Sequence, residues 1–314
     1  MNGKLVEFEK ATVHVMSHVL HYGSGVFEGI RCYATTRRGS AVFRLPEHVR
    51  RLALSAKVYR MALPGTEEEF AEAIRETIRA NEFGSCYIRP VIYRGFGTLG
   101  VNPLRSPVDA VICVWNWGKY LGEAADQGVD VCISSWRRPA SDALPAVAKA
   151  TGNYLNSALI KMEAITNGYV EGIVLDANGF VSEGSGENLF LVRGGTLVTP
   201  PLAASLLPGI TRDSVMTLAR DLGIEVREEM ISRGQLYVCD EVFLTGTAAE
   251  ITPVSAIDRY PVGSGCPGEV TRRLMAAFNR ITAEGEDRHG WLSPVGKPAE
   301  NEAALAAAEA SAPV

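Results

Sequence analysis

Apolar residues recur every three or four positions through two early stretches of the chain. In Pro46–Tyr59, the residues Val49, Leu52, Ala53 and Ala56 would share one helix face. Thr66-x-x-Glu69 stands before Phe70, Ala73, Ile74 and Ile78, which predicts a capping box opening a second amphipathic helix. Strand-like runs lie around these helices at Ala41–Arg44, Tyr87–Tyr93 and Val108–Trp115. Thr12–Leu20 also alternates in a strand-like way. This mixture predicts a first domain of α+β type. The glycines of Trp117–Gly128 (118, 122 and 128) predict a linker.

The second half opens with a strand, Val129–Ser134, and a Pro/Ala/Ser segment, Pro139–Pro145. A helix over Tyr154–Ile165 is stopped by Asn167-Gly168. Glu171–Leu175 and Phe180–Ser182 flank Asn178-Gly179, a hairpin signal because the pair tolerates positive φ. A further pair, Asn188–Val192 and Thr196–Val198, surrounds Gly194-Gly195. Thr211–Leu222 and Val270–Ile281 read as helices and Glu241–Leu244 as a strand. The expected organisation is therefore a small α+β domain over 1–117, a linker over 118–128 and a larger mixed α/β domain over 129–296. An Ala-rich tail over 297–314 is expected to be disordered or a frayed helix.

Composition narrows the function. A chain of 314 residues agrees with two domains. Its 46% hydrophobic and 21% charged residues are ordinary for a globular protein. The net charge is −5 and no basic run occurs, so no nucleic-acid surface is expected. No apolar run reaches the ~18 residues a membrane span needs. The first ten residues carry Glu7 and Glu9 and lack an apolar core, so no secretory signal is expected. Six cysteines lie far apart, in keeping with buried reduced thiols and a cytoplasmic setting.

Several segments could carry chemistry. Leu207-Pro-Gly-Ile-Thr-Arg212 precedes a helix with Thr211 or a neighbour as N-cap; it is either an ordinary helix start or an anion cup suited to phosphate. Thr245-Gly-Thr-Ala-Ala-Glu250 follows a strand and is either a tight turn or a second small-residue loop for the same anion. Lys149 sits among small apolar residues, either snorkelling from a loop or desolvated as a Schiff-base amine. Glu183 ends a hairpin strand, either as a solvated acid or as a partner for a protonated ring nitrogen. His14, His18 and His21 would bind metal only on a helix. On a strand, His14 and His18 stand ~13 Å apart, and core or interface roles are expected instead. The nicotinamide, Walker-lysine and nucleophile-elbow motifs are absent from the sequence.

One cofactor combines a phosphate, an aldehyde that wants a lysine and a ring nitrogen that wants a carboxylate: pyridoxal 5′-phosphate. The chain also resembles the bacterial branched-chain amino-acid aminotransferases, members of the fold-type IV pyridoxal phosphate enzymes. The motifs that carry the resemblance begin with His18-Val-Leu-His-Tyr-Gly23, Phe27-Glu-Gly-Ile-Arg31, Tyr87-Ile-Arg-Pro90 and Gly100-Val-Asn-Pro103. They continue with Lys149-Ala-Thr-Gly-Asn-Tyr154, Ser182-Glu-Gly184, Leu207–Arg212 and Gly246-Thr-Ala-Ala-Glu250. The resemblance implies two domains of the D-amino-acid-aminotransferase-like fold, with the cofactor between them and the larger one binding it.

The resemblance also implies site roles. Lys149 forms the Schiff base and later moves the proton, Tyr154 meets the ring O3′, and Glu183 meets the pyridine nitrogen. Arg51, Gly209, Ile210, Thr211, Gly246 and Thr247 surround the phosphate, and Leu207 packs on the ring. Tyr87 with Thr247 and Ala248 takes the substrate α-carboxylate, and Arg89 takes the distal carboxylate of glutamate. Phe27, Trp117 and Tyr120, with Tyr22 and Val101 supplied by a partner subunit, line an apolar pocket. No metal is implied. The implied reaction moves the amino group of L-leucine, L-isoleucine or L-valine to 2-oxoglutarate, in a homodimer or a trimer of dimers. A D-amino-acid or (R)-amine aminotransferase of the same fold is the alternative. Thr151 departs from the family, which commonly has Gly there, and the loop Phe96–Leu99 varies in the family.

Overall fold

The structure is a computed structural model that describes residues 1–118, 121–122 and 125–296. The expected pocket residue Tyr120 and the tail over 297–314 lie outside the described residues. The strands of the early chain are β1 (Gly25–Phe27), β2 (Ile30–Thr35), β3 (Gly39–Phe43), β4 (Cys86–Arg94) and β5 (Val108–Trp115). Then come β6 (Val129–Arg137), β7 (Glu171–Leu175), β8 (Val181–Gly184), β9 (Asn188–Arg193) and β10 (Thr196–Thr199). The last are β11 (Val226–Glu228), β12 (Glu241–Gly246), β13 (Glu250–Ile257), β14 (Tyr260–Pro261) and β15 (Leu292–Pro294). The helices are α1 (His18–Tyr22), α2 (Leu45–Val58), α3 (Glu67–Ala80), α4 (Tyr154–Thr166), α5 (Ile210–Asp221) and α6 (Glu269–Thr282).

The chain divides into two compact units. Among the described residues, the first holds 1–117, 148–152 and 279–296; the second holds 118, 121–122, 125–147 and 153–278. This differs from a cut at a linker over 118–128. Residues 118, 121–122 and 125–128 cluster with the second unit, and Ala125 is buried in its core. Residues 148–152, which carry Lys149, cluster with the first unit. The Phe27 N–H donates to the Lys149 carbonyl at 3.0 Å, and Val26 pairs with Ala150 as an antiparallel bridge. Five residues that leave their sequence neighbours to pair with a distant strand carry no periodicity that would reveal it.

The first unit is built on an antiparallel sheet in the order β1-β4-β2-β3-β15, with β5 also on β4. The expected apolar stripes cover one of its faces. Leu45, Val49, Leu52 and Ala56 of α2 and Phe70, Ala71, Ile74 and Ile78 of α3 pack with Val26, Ile30, Val42, Ile88 and Ile92. The capping box forms: the Glu69 N–H donates to Thr66 Oγ1 at 3.2 Å, and the Thr66 N–H donates to Glu69 Oε2 at 2.7 Å. The strand expected over Thr12–Leu20 does not form. Its end enters the five-residue helix α1, closed by Gly23 at φ +64°. A helix of little more than one turn is too short to set a 3.6-residue pattern.

The second unit's sheet runs β11-β10-β9-β12-β13-β6-β7-β8, with β14 on β13. The β10/β11, β6/β13 and β6/β7 pairs are parallel and the remaining pairs antiparallel. Helix α4 packs on β6 and β7, and α5 packs on β12. A Cβ at Gly172 in β7 would sit 2.7 Å from Ile160 Cγ2, so glycine there lets α4 lie close to the sheet. Phe190 and Phe243, both fully buried, stack across β9 and β12 with ring centroids 5.1 Å apart. Replacing Phe243 with Ala should cost about 3–5 kcal/mol. The check is a lower denaturation midpoint at unchanged slope, and an unchanged midpoint would contradict this core.

Candidate active site

The site residues fall into two groups, one in each unit. In the first, Lys149 is pinned by its backbone. Its N–H donates to Ser55 Oγ at 3.0 Å, and its carbonyl accepts from Phe27 as above. Its Nζ reaches 5.1 Å from the centroid of the Phe27 ring. Thr151 Oγ1 donates to the carbonyls of Gly23 and Gly25 at 2.8 and 3.1 Å, hydrogen bonds that a glycine there would lack. A Cβ at Gly23 would stand 3.1 Å from the Gly152 Cα, which explains glycine at that close approach.

Arg51 lies on the buried side of α2 and is gripped by Glu28. Its Nε and Nη2 donate to the two Glu28 oxygens at 2.6 and 2.8 Å, a bidentate fork. His48 Nδ1 donates to Glu28 Oε2 at 2.7 Å. Glu28 is completely buried. Burial alone would raise its pKa, but Arg51 and His48 outweigh burial and hold it well below the usual carboxylate range. Burial lowers the His48 pKa despite the carboxylate beside it, which keeps the ring neutral at neutral pH.

Strand alternation builds the aromatic part. In β4, Ile88 and Ile92 face the core, so Tyr87 and Arg89 face the other way. Trp115 lies opposite Tyr87 in the β4/β5 register. The Tyr87 ring sits 4.9 Å from the Trp115 ring and 4.5 Å from the Trp117 ring. The Arg89 guanidinium lies 4.7, 5.4 and 5.8 Å from the rings of Phe27, Tyr87 and Trp115. Its Nη2 donates to Tyr87 Oη at 3.3 Å, and its Nε is buried with no hydrogen-bond partner. A Cβ at Gly29 would fall 2.1 Å from Tyr87 Oη, so only glycine admits that hydroxyl.

The second unit's group centres on Glu183 at the end of β8. Arg138 Nε stands 3.0 Å from Glu183 Oε1, but its N–H is not aimed at the oxygen, so the contact is chiefly charge against charge. Asn188 Nδ2 and the Leu207 N–H both donate to Glu183 Oε2, at 3.1 and 3.2 Å. Asn188 Nδ2 also donates to the Leu207 carbonyl at 2.9 Å. Thr245 is paired opposite Asn188, and a Cβ at Gly209 would fall 1.8 Å from Asn188 Oδ1. Asn188 thus borders both small-residue loops, the Leu207–Arg212 segment and the Thr245–Glu250 turn. The N-cap of α5 is Gly209, with Thr211 one residue inside the helix, so the cap is not Thr211 itself. Tyr154 is the first residue of α4. Gly246 ends β12, and Thr247 and Ala248 form the half-buried turn into β13.

Other expected residues stand elsewhere. Tyr22 and Val101 lie on the surface of the first unit, Val101 at 85% exposure. His18 engages Ser24 Oγ and the Gly100 carbonyl through its two ring nitrogens, at 2.7 and 2.8 Å. His14 stacks on Phe96 at 4.2 Å and His21 contacts the Val15 carbonyl. Among the described residues no group of three or more His, Cys, Asp or Glu is placed to hold a metal.

Sequence reasoning left Glu28, His48, Trp115, Arg138, Asn188 and Glu187 without roles. A carboxylate inside the apolar run Val26–Ile30 is a signal of paired burial that points to Glu28. Arg138 carries no such signal.

These residues fit pyridoxal phosphate. Glu183 is held by a cation and two N–H donors, which suits a carboxylate facing a protonated ring nitrogen. The N-cap of helix α5 is Gly209, which has no side chain to cap the helix N–H groups, and this suits a phosphate. Residues 25–257 match the family model "Amino-transferase class IV". The chain is 54% identical to the branched-chain-amino-acid aminotransferase of Salmonella typhimurium over 297 residues, covering 94% of this chain and 96% of that one. It is 53% identical to the Escherichia coli enzyme of the same name, with the same coverage. The E. coli crystal structure superposes with a TM-score of 0.92 at 52% identity, over 94% of this chain and 98% of that one. A second crystal structure, the branched-chain amino acid aminotransferase of T.th. with pyridoxamine 5′-phosphate, gives 0.90 at 50% identity, over 94% and 97%. The architecture is that of an aminotransferase, and the chain belongs to the class IV aminotransferase family.

One buried acid near the site has consequences for stability. Glu187 is buried, and burial first, then the Glu171 carboxylate, push its pKa up to about 8. It is protonated at pH 7 when folded and ionised when unfolded, so the unfolded chain binds fewer protons between the two pKa values. The contribution of Glu187 to stability must therefore fall as pH rises from about 4.5 to 8. Replacing Glu187 with Gln should remove this loss: melting temperatures of the two proteins should diverge from pH 5 to pH 8, with the variant higher. Parallel curves would show that Glu187 is ionised in the folded protein.

Proposed function

We infer that this chain is a pyridoxal-phosphate-dependent aminotransferase that moves the amino group of L-leucine, L-isoleucine or L-valine to 2-oxoglutarate. The products are the branched 2-oxo acid and L-glutamate, formed in two half-reactions. The observation that carries the reading is Lys149, fastened by its backbone to β1 and Ser55 with its amine over Phe27, in a chain of the class IV family. The bound cofactor supplies an electron sink and a carrier for the amino group.

The residues divide the work as follows. Lys149 Nζ anchors the cofactor and then moves a proton to and from the substrate Cα. Glu183 holds the proton on the ring nitrogen, Tyr154 meets the ring hydroxyl and Leu207 covers the ring. Arg51, Gly209, Ile210, Thr211, Gly246 and Thr247 hold the phosphate. Glu28 supports this by fixing Arg51 in one orientation. Tyr87, Thr247 and Ala248 bind the α-carboxylate.

Phe27, Trp117 and Tyr120 take the branched side chain by desolvation, worth about 1.5–3 kcal/mol. Glutamate enters the same pocket because Arg89, a cation held among three rings, meets its distal carboxylate. Tyr22 and Val101 serve the site of a second subunit in a homodimer or trimer of dimers. Their exposure, with that of Leu20, Phe96, Leu99 and Leu104 nearby in sequence, supports such an interface. Six free thiols, most of them buried, suit the reducing cytoplasm.

Borohydride should trap the cofactor on the peptide containing Lys149, and Lys149→Ala should lower transamination by about 10³-fold or more. Amino transfer from D-alanine without any from L-leucine would replace this reading with the D-amino-acid alternative. Arg89→Gln should raise the KM for 2-oxoglutarate about 10–100-fold, the value of one charged hydrogen bond, and leave that for L-leucine nearly unchanged. Equal losses for both substrates would refute a role confined to the distal carboxylate.

A further inference from the structure

Arg138 is buried just past the end of β6 and turns its guanidinium, both Nη atoms by hydrogen bonds and Nε by a charge contact alone, onto one small region. Nη1 donates to Asn156 Oδ1 and Ser157 Oγ of α4 at 3.0 and 3.1 Å. Nη2 donates to the carbonyls of Gly184 and Ser185 at 2.9 and 3.0 Å. Nε stands 3.0 Å from Glu183 Oε1. Arg138 therefore fixes the backbone on the C-terminal side of Glu183 and also sets a full positive charge against its carboxylate. The opposite oxygen is held by Asn188 and the Leu207 N–H. Glu187, an acid close enough to feel the Glu183 charge, is kept neutral by burial, so it adds no competing negative charge.

We propose that Arg138 is a positioning residue that keeps Glu183 ionised and aimed, and thereby keeps the proton on the cofactor's ring nitrogen. The proposal rests on the reading of Glu183 as the ring-nitrogen partner. A buried carboxylate facing a protonated pyridine has two states, the ion pair and the neutral pair with the proton moved to oxygen. In a site of low dielectric the neutral pair gains on the ion pair. Arg138 touches the carboxylate, so it stabilises the negative charge more than it repels a cation beyond that carboxylate. Without it, the proton drifts to Glu183 and the ring loses capacity to take up electrons.

The test is ¹⁵N NMR of the holoenzyme loaded with ring-¹⁵N pyridoxal phosphate, with kcat measured in parallel. Arg138→Gln should move the nitrogen resonance toward the unprotonated position, by at least half the change seen in Glu183→Gln. It should also lower kcat about tenfold or more, since one pKa unit is a factor of ten. Arg138→Lys keeps the charge and should retain most of the protonated resonance. A wild-type resonance in Arg138→Gln, with a displaced one in Glu183→Gln, overturns the proposal. A wild-type resonance in both variants means instead that Glu183 is not the partner.

The unsubstituted holoenzyme carries a second check, in which the variant serves only to assign a band. With carboxyl-¹³C glutamate, the infrared band lost in Glu183→Gln should remain that of an ionised carboxylate down to pH 5. Its conversion to the acid above pH 5 overturns the proposal.

Discussion

A charge taken out of water has to be met by an opposite charge or by several hydrogen-bond donors, because an uncompensated buried ion costs several kcal/mol. Both groups of site residues obey this constraint, and much of their local geometry follows from it. In the first unit, Glu28 has no solvent contact and is closed by the Arg51 fork and a neutral His48. In the second, Glu183 is closed by Arg138, Asn188 and a backbone N–H. Each carboxylate orients its partners as much as they stabilise it. Catalytic groups gain from such support because their positions are then set before substrate arrives.

Backbone pairing does the rest. The Lys149 segment runs antiparallel beside β1, so the amine's location depends on the carbonyl and N–H groups around it rather than on the flexible lysine stem. The pleat of β4 separates a core-facing row, Ile88 and Ile92, from a row with Tyr87 and Arg89. A slip of one residue would exchange the two rows, burying the arginine in the core and exposing the isoleucines. The core that holds the sheet in register thereby also holds the aromatic and cationic side chains toward their task. Glycines mark the points where this packing leaves no room. At Gly29 a hydroxyl takes the place of a Cβ, and at Gly209 a side-chain carbonyl does.

Much of the architecture was legible in the order of residues. The two amphipathic helices, the capping box at Thr66, the Asn178-Gly179 hairpin and the strand runs all follow from local periodicity and turn chemistry, and each forms with ends shifted by a few residues. The class of cofactor was legible for another reason: the motifs around Lys149, Glu183 and Leu207–Arg212 are dense in small residues, where few sequences satisfy the chemistry. Thr12–Leu20 departs from its alternating pattern because a helix of five residues sets no period. Local pattern cannot place the 148–152 segment, because only its pairing with the distant Val26 reveals where it belongs.

The sequence by itself determined the element types outside Thr12–Leu20, the class of cofactor and the family, since these depend on local propensity and on residue types in a fixed order. The tertiary structure alone decided that Glu28 locks Arg51, that Trp115 joins the rings around Arg89, that Asn188 borders two loops and that Arg138 backs Glu183. Those relations join residues separated by as many as 57 positions, as between Asn188 and Thr245, and rest on strand register, on ring contacts of up to 5.8 Å and on polar contacts of about 3 Å. No local pattern encodes such proximity; it arises when strands pair in one register and charges with nowhere else to go find one another in the interior.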